Sequence, residues 1–170
     1  MNDTVKRALI IRSASFQQLD KNLPDIVSQL PAYTFDMLTH EHGIKLAQKY
    51  EMIDKVISYP YKDSFHYKNK VKELNDISYD VVIILVTNIT GVGFWNVIRF
   101  AFTVSGKQYL QCNMQSELMS FSKKRILWRS IQLKSIKLVS ILIAALLSPL
   151  TILILCWKLV VLRDKTGGIS

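Results

Sequence analysis

Residues 79–86 read YDVVIILV, Tyr79 to Val86, and this stretch decides the fold class. Side chains along a strand point alternately to opposite faces, so a half-buried strand alternates apolar and polar residues. From Val81 to Val86 there is no such alternation, and five of these six residues are β-branched. A strand of this kind is buried on both faces, as in a parallel sheet covered by helices. It is predicted to be central.

Upstream, RALIIR (Arg7 to Arg12) is a short apolar run bounded by charge and then by Ser13 and Ser15, which reads as a first strand. Residues 16–30 carry Leu19, Leu23, Ile26, Val27 and Leu30 at helical spacing, with Pro24 expected to start or kink that helix. YTFDMLT (33–39) is the second strand, 44–50 a short helix, and DKVISY (54–59) a third strand ended by Pro60. Residues 64–74, with Lys68, Lys70 and Lys72, read as a polar helix. Downstream come an amphipathic stretch over 94–104 and a fifth strand over 108–112. Strand and helix alternating in this way predict an α/β domain with one Rossmann-like open parallel sheet and helices on both faces.

A second feature lies toward the C-terminus. Leu138 to Trp157 (LVSILIAALLSPLTILILCW) holds no charge over 20 residues, which as a helix would span about 30 Å, one hydrocarbon core. Of 22 Lys and Arg, nine fall in residues 121–170 against the single acid Asp164, whereas residues 1–120 carry 13 basic and 12 acidic residues. The formal net charge of +9 therefore belongs beside the apolar segment, where it would meet lipid headgroups, and not on a nucleic-acid surface. The organisation expected is an α/β domain over 1–118, a basic juxtamembrane segment over 119–137, a membrane helix over 138–162 and a tail over 163–170. Lys134, Lys137, Trp157 and Lys158 would mark the bilayer boundaries. Pro149 would bend the helix, with Ser148 and Thr151 partly satisfying the carbonyls it frees, giving either a kinked span or a re-entrant hairpin. Cys112 and Cys156 do not form a disulfide framework, and the N-terminus has no signal-peptide pattern. The expected location is the inner membrane with the α/β domain in the cytoplasm.

Ligands of open α/β sheets bind beyond the carboxyl ends of the strands, which here means residues 12–15, 40–42, 59–61 and 87–93. Ser13, Ser15, Thr87, Asn88, Thr90, Gly91 and Gly93 are the candidate ligand-binding residues. The loop TNITGVG (87–93) could offer hydroxyls and backbone N–H groups to a phosphate or sugar, or be a plain turn; it lacks the GxGxxG and Walker spacings. His40 and His42, separated by Glu41, do not share a helix face and lack a third ligand, so no metal is expected, nor any cofactor. There is no GxSxG elbow and no carboxylate pair at the strand ends.

The succession LIIR, Pro24, YTFDMLTHEH, IDKVISYPY and YDVVIILVTN resembles the N-terminal half of the heptosyltransferase-like glycosyltransferases (family nine, GT-B fold) over about residues 6–112. That resemblance implies sugar transfer in bacterial envelope glycan assembly. It also implies a Gly-Asp pair after the first strand whose aspartate is the general base; Gln17 and Gln18 occupy the matching positions, and a neutral amide cannot accept the proton. Asp20 is the one nearby replacement. The nucleotide-sugar domain of that family has no counterpart in this sequence, which implies a second glycosyltransferase subunit as partner, besides the lipid bilayer and a nucleotide sugar or lipid-linked glycan. The alternative is a non-catalytic, membrane-anchored binding or scaffold module. The stretch ALLSPLTILILCWKLVVL is also similar to the Ser-Pro-kinked re-entrant helix of monotopic phosphoglycosyl transferases, without their catalytic Asp-Glu pair.

Overall fold

The computed structural model of the chain describes residues 5–89 and 93–122 and, beyond them, positions 124, 128, 132, 135, 136, 138–145, 147–149, 152, 155 and 157. The chain divides into two compact units, Met1–Lys123 and Lys124–Ser170.

The first unit is an α/β sheet of six strands: β1 (Lys6–Ile11), β2 (Tyr33–His40), β3 (Ile53–Tyr59), β4 (Tyr79–Leu85), β5 (Gly106–Cys112) and β6 (Leu118–Ser120). They stand in the order β3-β2-β1-β4-β5-β6, the first five parallel and β6 antiparallel to β5. As the apolar run requires, β4 is internal, pairing with β1 through Ala8–Val81 to Ile11–Ile84 and with β5 on its other edge. Its residues Val81 to Leu85 are all buried.

Helix α1 (Phe16–Gln29) starts at Ser15, whose hydroxyl caps it by accepting from the Gln18 N–H at 3.3 Å. Its buried face, Leu19, Leu23 and Ile26, packs with Ala8, Ile10, Val81, Ile83 and Leu85 on one side of the sheet. Pro24 lies inside the helix and does not end it. A short helix α2 (Ile44–Ala47) adds Ala47 to this core. The opposite face is rich in rings. Phe100 of α3 (Trp95–Ala101) lies 5.5 Å from the Tyr59 ring of β3 and 5.4 Å from Phe65.

One expectation needs correction. Residues 64–74 form no polar helix; apart from a turn at 67–68 and one 3-10 turn at Lys72–Leu74 they are irregular. Their buried residues Phe65, Val71 and Leu74 do not recur at helical spacing, and the backbone is held by one hydroxyl instead. Tyr59 Oη donates to the Ser64 carbonyl (3.2 Å) and accepts from His66 N–H (3.1 Å) and the Asn69 amide (2.9 Å). Beyond the five strands expected, the sheet gains β6, which folds back on β5. The turn before it is anchored by Asn22 of α1, which donates to Asn113 O and Ser116 Oγ, both at 2.9 Å. Short strands without an apolar run, such as Leu118–Ser120, carry no sequence signal of their own.

Within the second unit the described positions are helical. Among the described residues, no helix is long and apolar enough to cross a membrane. The expected membrane helix includes residues 146, 150, 151, 153, 154, 156 and 158–162, which lie outside the described residues, as do Lys134, Lys137 and Lys158. Ser148 Oγ donates to Ala145 O at 3.3 Å, the carbonyl that Pro149 leaves without its helical partner.

At the amino end of the sheet the charges are matched internally. Arg7 donates to the 1%-exposed Asp36 at 2.6 Å, and Tyr79 Oη donates to the same carboxylate oxygen at 2.7 Å. Arg7→Met would leave that carboxylate without its cation, at a cost of roughly 2–3 kcal/mol, below the range for fully enclosed pairs because Arg7 is 40% exposed. In chemical denaturation, the triple variant Arg7→Met, Asp36→Leu, Tyr79→Phe is expected to recover most of that loss; no recovery would show that the charge was not its source.

Candidate functional site

The strand order reverses between β1 and β4: the chain builds outward from β1 to β2 and β3, then returns to the other side of β1 with β4 and β5. The loops after β1 and β4 consequently diverge, leaving a crevice at the carboxyl ends of the strands. A cleft of about 410 Å³ lies there, lined among others by Arg12, Ser13, His40, His42, Gly93 and Asn96.

Arg12 is the centre of its chemistry. It follows β1 directly and is 8% exposed. Its Nε donates to Thr39 Oγ1 at 2.7 Å and Nη1 to Ala14 O at 2.8 Å, and the guanidinium lies 4.2 Å from the Phe16 ring centre. Gly43 makes this packing possible: a Cβ there would stand 2.5 Å from Thr39 Oγ1 and 3.1 Å from Arg12 Nη2. Burial lowers the Arg12 pKa, opposed in part by Tyr50, yet an arginine stays charged at neutral pH. Neither ion pair found among the described residues, Arg7–Asp36 and Lys107–Asp80, includes it.

No protein-family model, curated protein or solved structure matches this chain.

The structure brings some of the expected residues to this cleft and not others. Ser13 lines it, with its hydroxyl donating to the Leu85 carbonyl and so tying β1 to the end of β4. Gly93 lines it at φ 93°, a left-handed conformation that favours glycine. Thr87 is exposed and Asn88 half-buried on the bend after β4; Thr90 and Gly91 lie outside the described residues. Ser15 is the helix cap, and with Gln17, Gln18 and Lys21 it lines a separate shallow hollow. Gln18 Nε2 donates to Val86 O at 2.9 Å, so the amide serves as a strap between α1 and β4. Asp20 is exposed on α1 and accepts a hydrogen bond from Tyr50 Oη, which places the suggested replacement base outside the cleft lining. Burial, with Asp20 second, pushes the Tyr50 phenol up to about 12.

Sequence reasoning missed the pairing of His40 and His42. On a helix, residues i and i+2 do not share a face, which is why the two histidines read as separate. The chain instead leaves β2 at His40 and enters a 3-10 turn (Glu41–Gly43), which stacks the two rings with centroids 5.6 Å apart. Among the described residues no cluster of three or more metal-ligating side chains is present. His40 Nε2 lies 3.1 Å from the Asp63 carbonyl, and its ring packs edge-on to Tyr59 and Phe65. Burial lowers its pKa; the Asp63 carbonyl opposes this, and His42 and Arg12 add to it.

A histidine with a lowered folded-state pKa destabilises the fold on acidification. The unfolded chain takes up its proton near pH ~6.5 while the folded chain does not, so stability is full above that value and falls as pH drops toward the folded pKa. The thermal midpoint of the wild type is therefore expected to fall more steeply between about pH 7 and 5 than that of His40→Gln, whose amide can still donate to Asp63 O. Equal slopes in calorimetry would contradict this.

Proposed function

We propose that the chain is a membrane-anchored, glycosyltransferase-like protein of bacterial envelope or extracellular polysaccharide assembly that works as an accessory or partner-dependent subunit. In this reading its Rossmann-like unit corresponds to half of a GT-B fold and presents a ligand cleft at the cytoplasmic face of the inner membrane. A second glycosyltransferase subunit completes the enzyme, with a nucleotide sugar or lipid-linked glycan as ligand.

The observation that carries the reading is a ligand crevice at the strand-order reversal whose described lining holds no carboxylate. Such a lining can hold a polar ligand but has no acidic side chain of its own with which to deprotonate an acceptor hydroxyl; Glu41 lines the adjoining hollow and not this cleft. Asp20 is engaged with Tyr50, and Gln18 with the backbone of β4. Binding without an acid is what an accessory half of a divided transferase would retain.

Attachment to the bilayer is supported by the second unit. Positions 138–145 are consecutive, helical and all exposed, and Leu138, Val139, Ile141, Leu142 and Ile143 are among them. Eight consecutive exposed positions cover every side of a helix, and seven of these are apolar while the eighth, Ser140, turns its hydroxyl onto Ile136 O at 2.9 Å, so this helix suits an apolar medium. Trp157 and Pro149 are likewise helical and exposed. The same carboxylate-free cleft also fits the second reading, a non-catalytic binding or scaffold module held on the membrane.

Affinity purification of the full-length chain from its own cells, followed by a transfer assay, separates these. The expected result is co-purification of a second glycosyltransferase, with sugar transfer only in the two-chain preparation. Transfer by the isolated chain would contradict the accessory role, and an unrelated partner with no transferase would favour the scaffold.

A further inference from the structure

The two ends of the sheet treat their arginines differently. Arg7, near the start of β1, is matched by the Asp36 carboxylate. Arg12, just past the other end of the same strand, is more deeply buried and has no carboxylate partner among the described residues. A guanidinium has five N–H donors. Two of Arg12's go to neutral oxygens, Thr39 Oγ1 and Ala14 O, which leaves three N–H groups and the whole positive charge without a protein acceptor among the described residues. Among the described residues the buried side-chain N and O atoms without a partner are Asn22 Oδ1 and Asp36 Oδ1, not a nitrogen of Arg12, so its remaining donors are open to an anion that enters the cleft. The fold holds Arg12 in place, over Phe16 and against a glycine that cannot crowd it.

The surroundings say what kind of anion. His42 lines the same cleft as Arg12 and can supply a further donor, whereas His40 Nε2 is spent on the Asp63 carbonyl. A neighbouring hollow of about 390 Å³ shares His40 and His42 with the cleft and is walled by Tyr61 and Pro60; Glu41 and Lys62 there bring one charge of each sign. The guanidinium fork fits carboxylate or phosphate. Three free N–H groups and an imidazole suit the three oxygens of a phosphate group, the anion that a phosphorylated ligand of the reading above would carry. Together the cleft and the hollow have the size of a small-molecule site, polar at one end and ring-walled at the other.

We propose that this cleft is a phosphate site, in which Arg12 anchors the phosphate group of a phosphorylated sugar or nucleotide, His42 adds a donor, and the organic part extends along Tyr61 and Pro60. This rests on the reading of the strand-end cleft as the ligand site given above. It moves the recognition from the loop after β4 to the ends of β1 and β2.

The test is isothermal titration of the full-length chain in detergent micelles. The probes are inorganic phosphate, glucose 1-phosphate, uridine diphosphate and dodecyl phosphate, with glucose, uridine and acetate as counterparts at matched ionic strength. The phosphate-bearing probes are expected to bind and the counterparts to bind at least about tenfold more weakly, the loss expected when a charge-assisted contact is missing. Tighter binding of uridine diphosphate would mark a soluble ligand, and of dodecyl phosphate a lipid-linked one; either supports the site. Arg12→Met, which keeps the stem but removes the charge, is expected to lose at least about tenfold in phosphate affinity while its thermal midpoint without ligand stays level or rises. Should that variant fail to fold, Arg12→Lys keeps the charge without the fork and is expected to bind phosphate more weakly than wild type. No binding of any phosphate probe to the wild type, or undiminished binding to the Arg12 variants, overturns the proposal. If glucose or uridine binds as tightly as its phosphorylated form, the phosphate site falls while the ligand-cleft reading survives.

Discussion

Strands β1 and β4 lie side by side with Ala8 opposite Val81 and Ile11 opposite Ile84, although two strands and a long connection separate them in sequence. This pairing is the constraint on which the rest of the unit depends. An apolar run with no solvent face must be covered on both sides and paired on both edges. The partner that meets this need for β4 is β1, itself fully buried from Ala8 to Ile11. Once the two are adjacent, the chain has already built β2 and β3 on one side and can add β5 only on the other. The reversal of strand order, and the crevice at its carboxyl end, follow from the hydrophobic pattern of two short segments.

The same pairing sets the electrostatics. Both ends of β1 carry an arginine at or beside the strand terminus, and both arginines meet the adjacent strand β2: Arg7 at Asp36, Arg12 at Thr39. The choice of aspartate at one position and threonine at the other makes the ends unlike. At the amino end a buried carboxylate is held by Arg7 and the Tyr79 hydroxyl, and burial followed by that hydrogen bond pushes the Tyr79 phenol up. This end is closed by its own groups. At the carboxyl end the threonine orients the guanidinium without neutralising it, the ring of Phe16 and the bare Gly43 pack around it, and the stacked His40 and His42 line the same cleft. Cys112, the other buried reactive group, lies in the core with its thiol pushed up to about 12 by burial, and is chemically silent.

The parallel core was legible because apolar runs such as Ala8 to Ile11 and Val81 to Val86 leave no alternative to double-sided burial, and α1 because its apolar residues keep one face. The connection over 64–74 was misread because charge spacing imitates a polar helix, whereas the ordering comes from a distant hydroxyl, Tyr59 Oη. Strand β6 was invisible because its pairing depends on the turn that Asn22 anchors. Of the site, the chain positions at the strand ends could be read from topology. The histidine pair could not, because it depends on a 3-10 turn, and neither could the status of Arg12, since whether a cation is neutralised depends on which side chains surround it in space.

The central claim is that Arg12, and not another cation, receives the ligand's charge. Its Nε–H is held by Thr39 Oγ1, whereas Arg7 is held through Nη2 by Asp36, so Arg7 serves as an internal reference in the same molecule. In a ¹⁵N spectrum of the full-length chain in micelles, addition of uridine diphosphate is expected to shift the Arg12 Nε–H resonance saturably and to leave that of Arg7 in place. A stationary Arg12 resonance, or an equal shift at Arg7, would contradict the account.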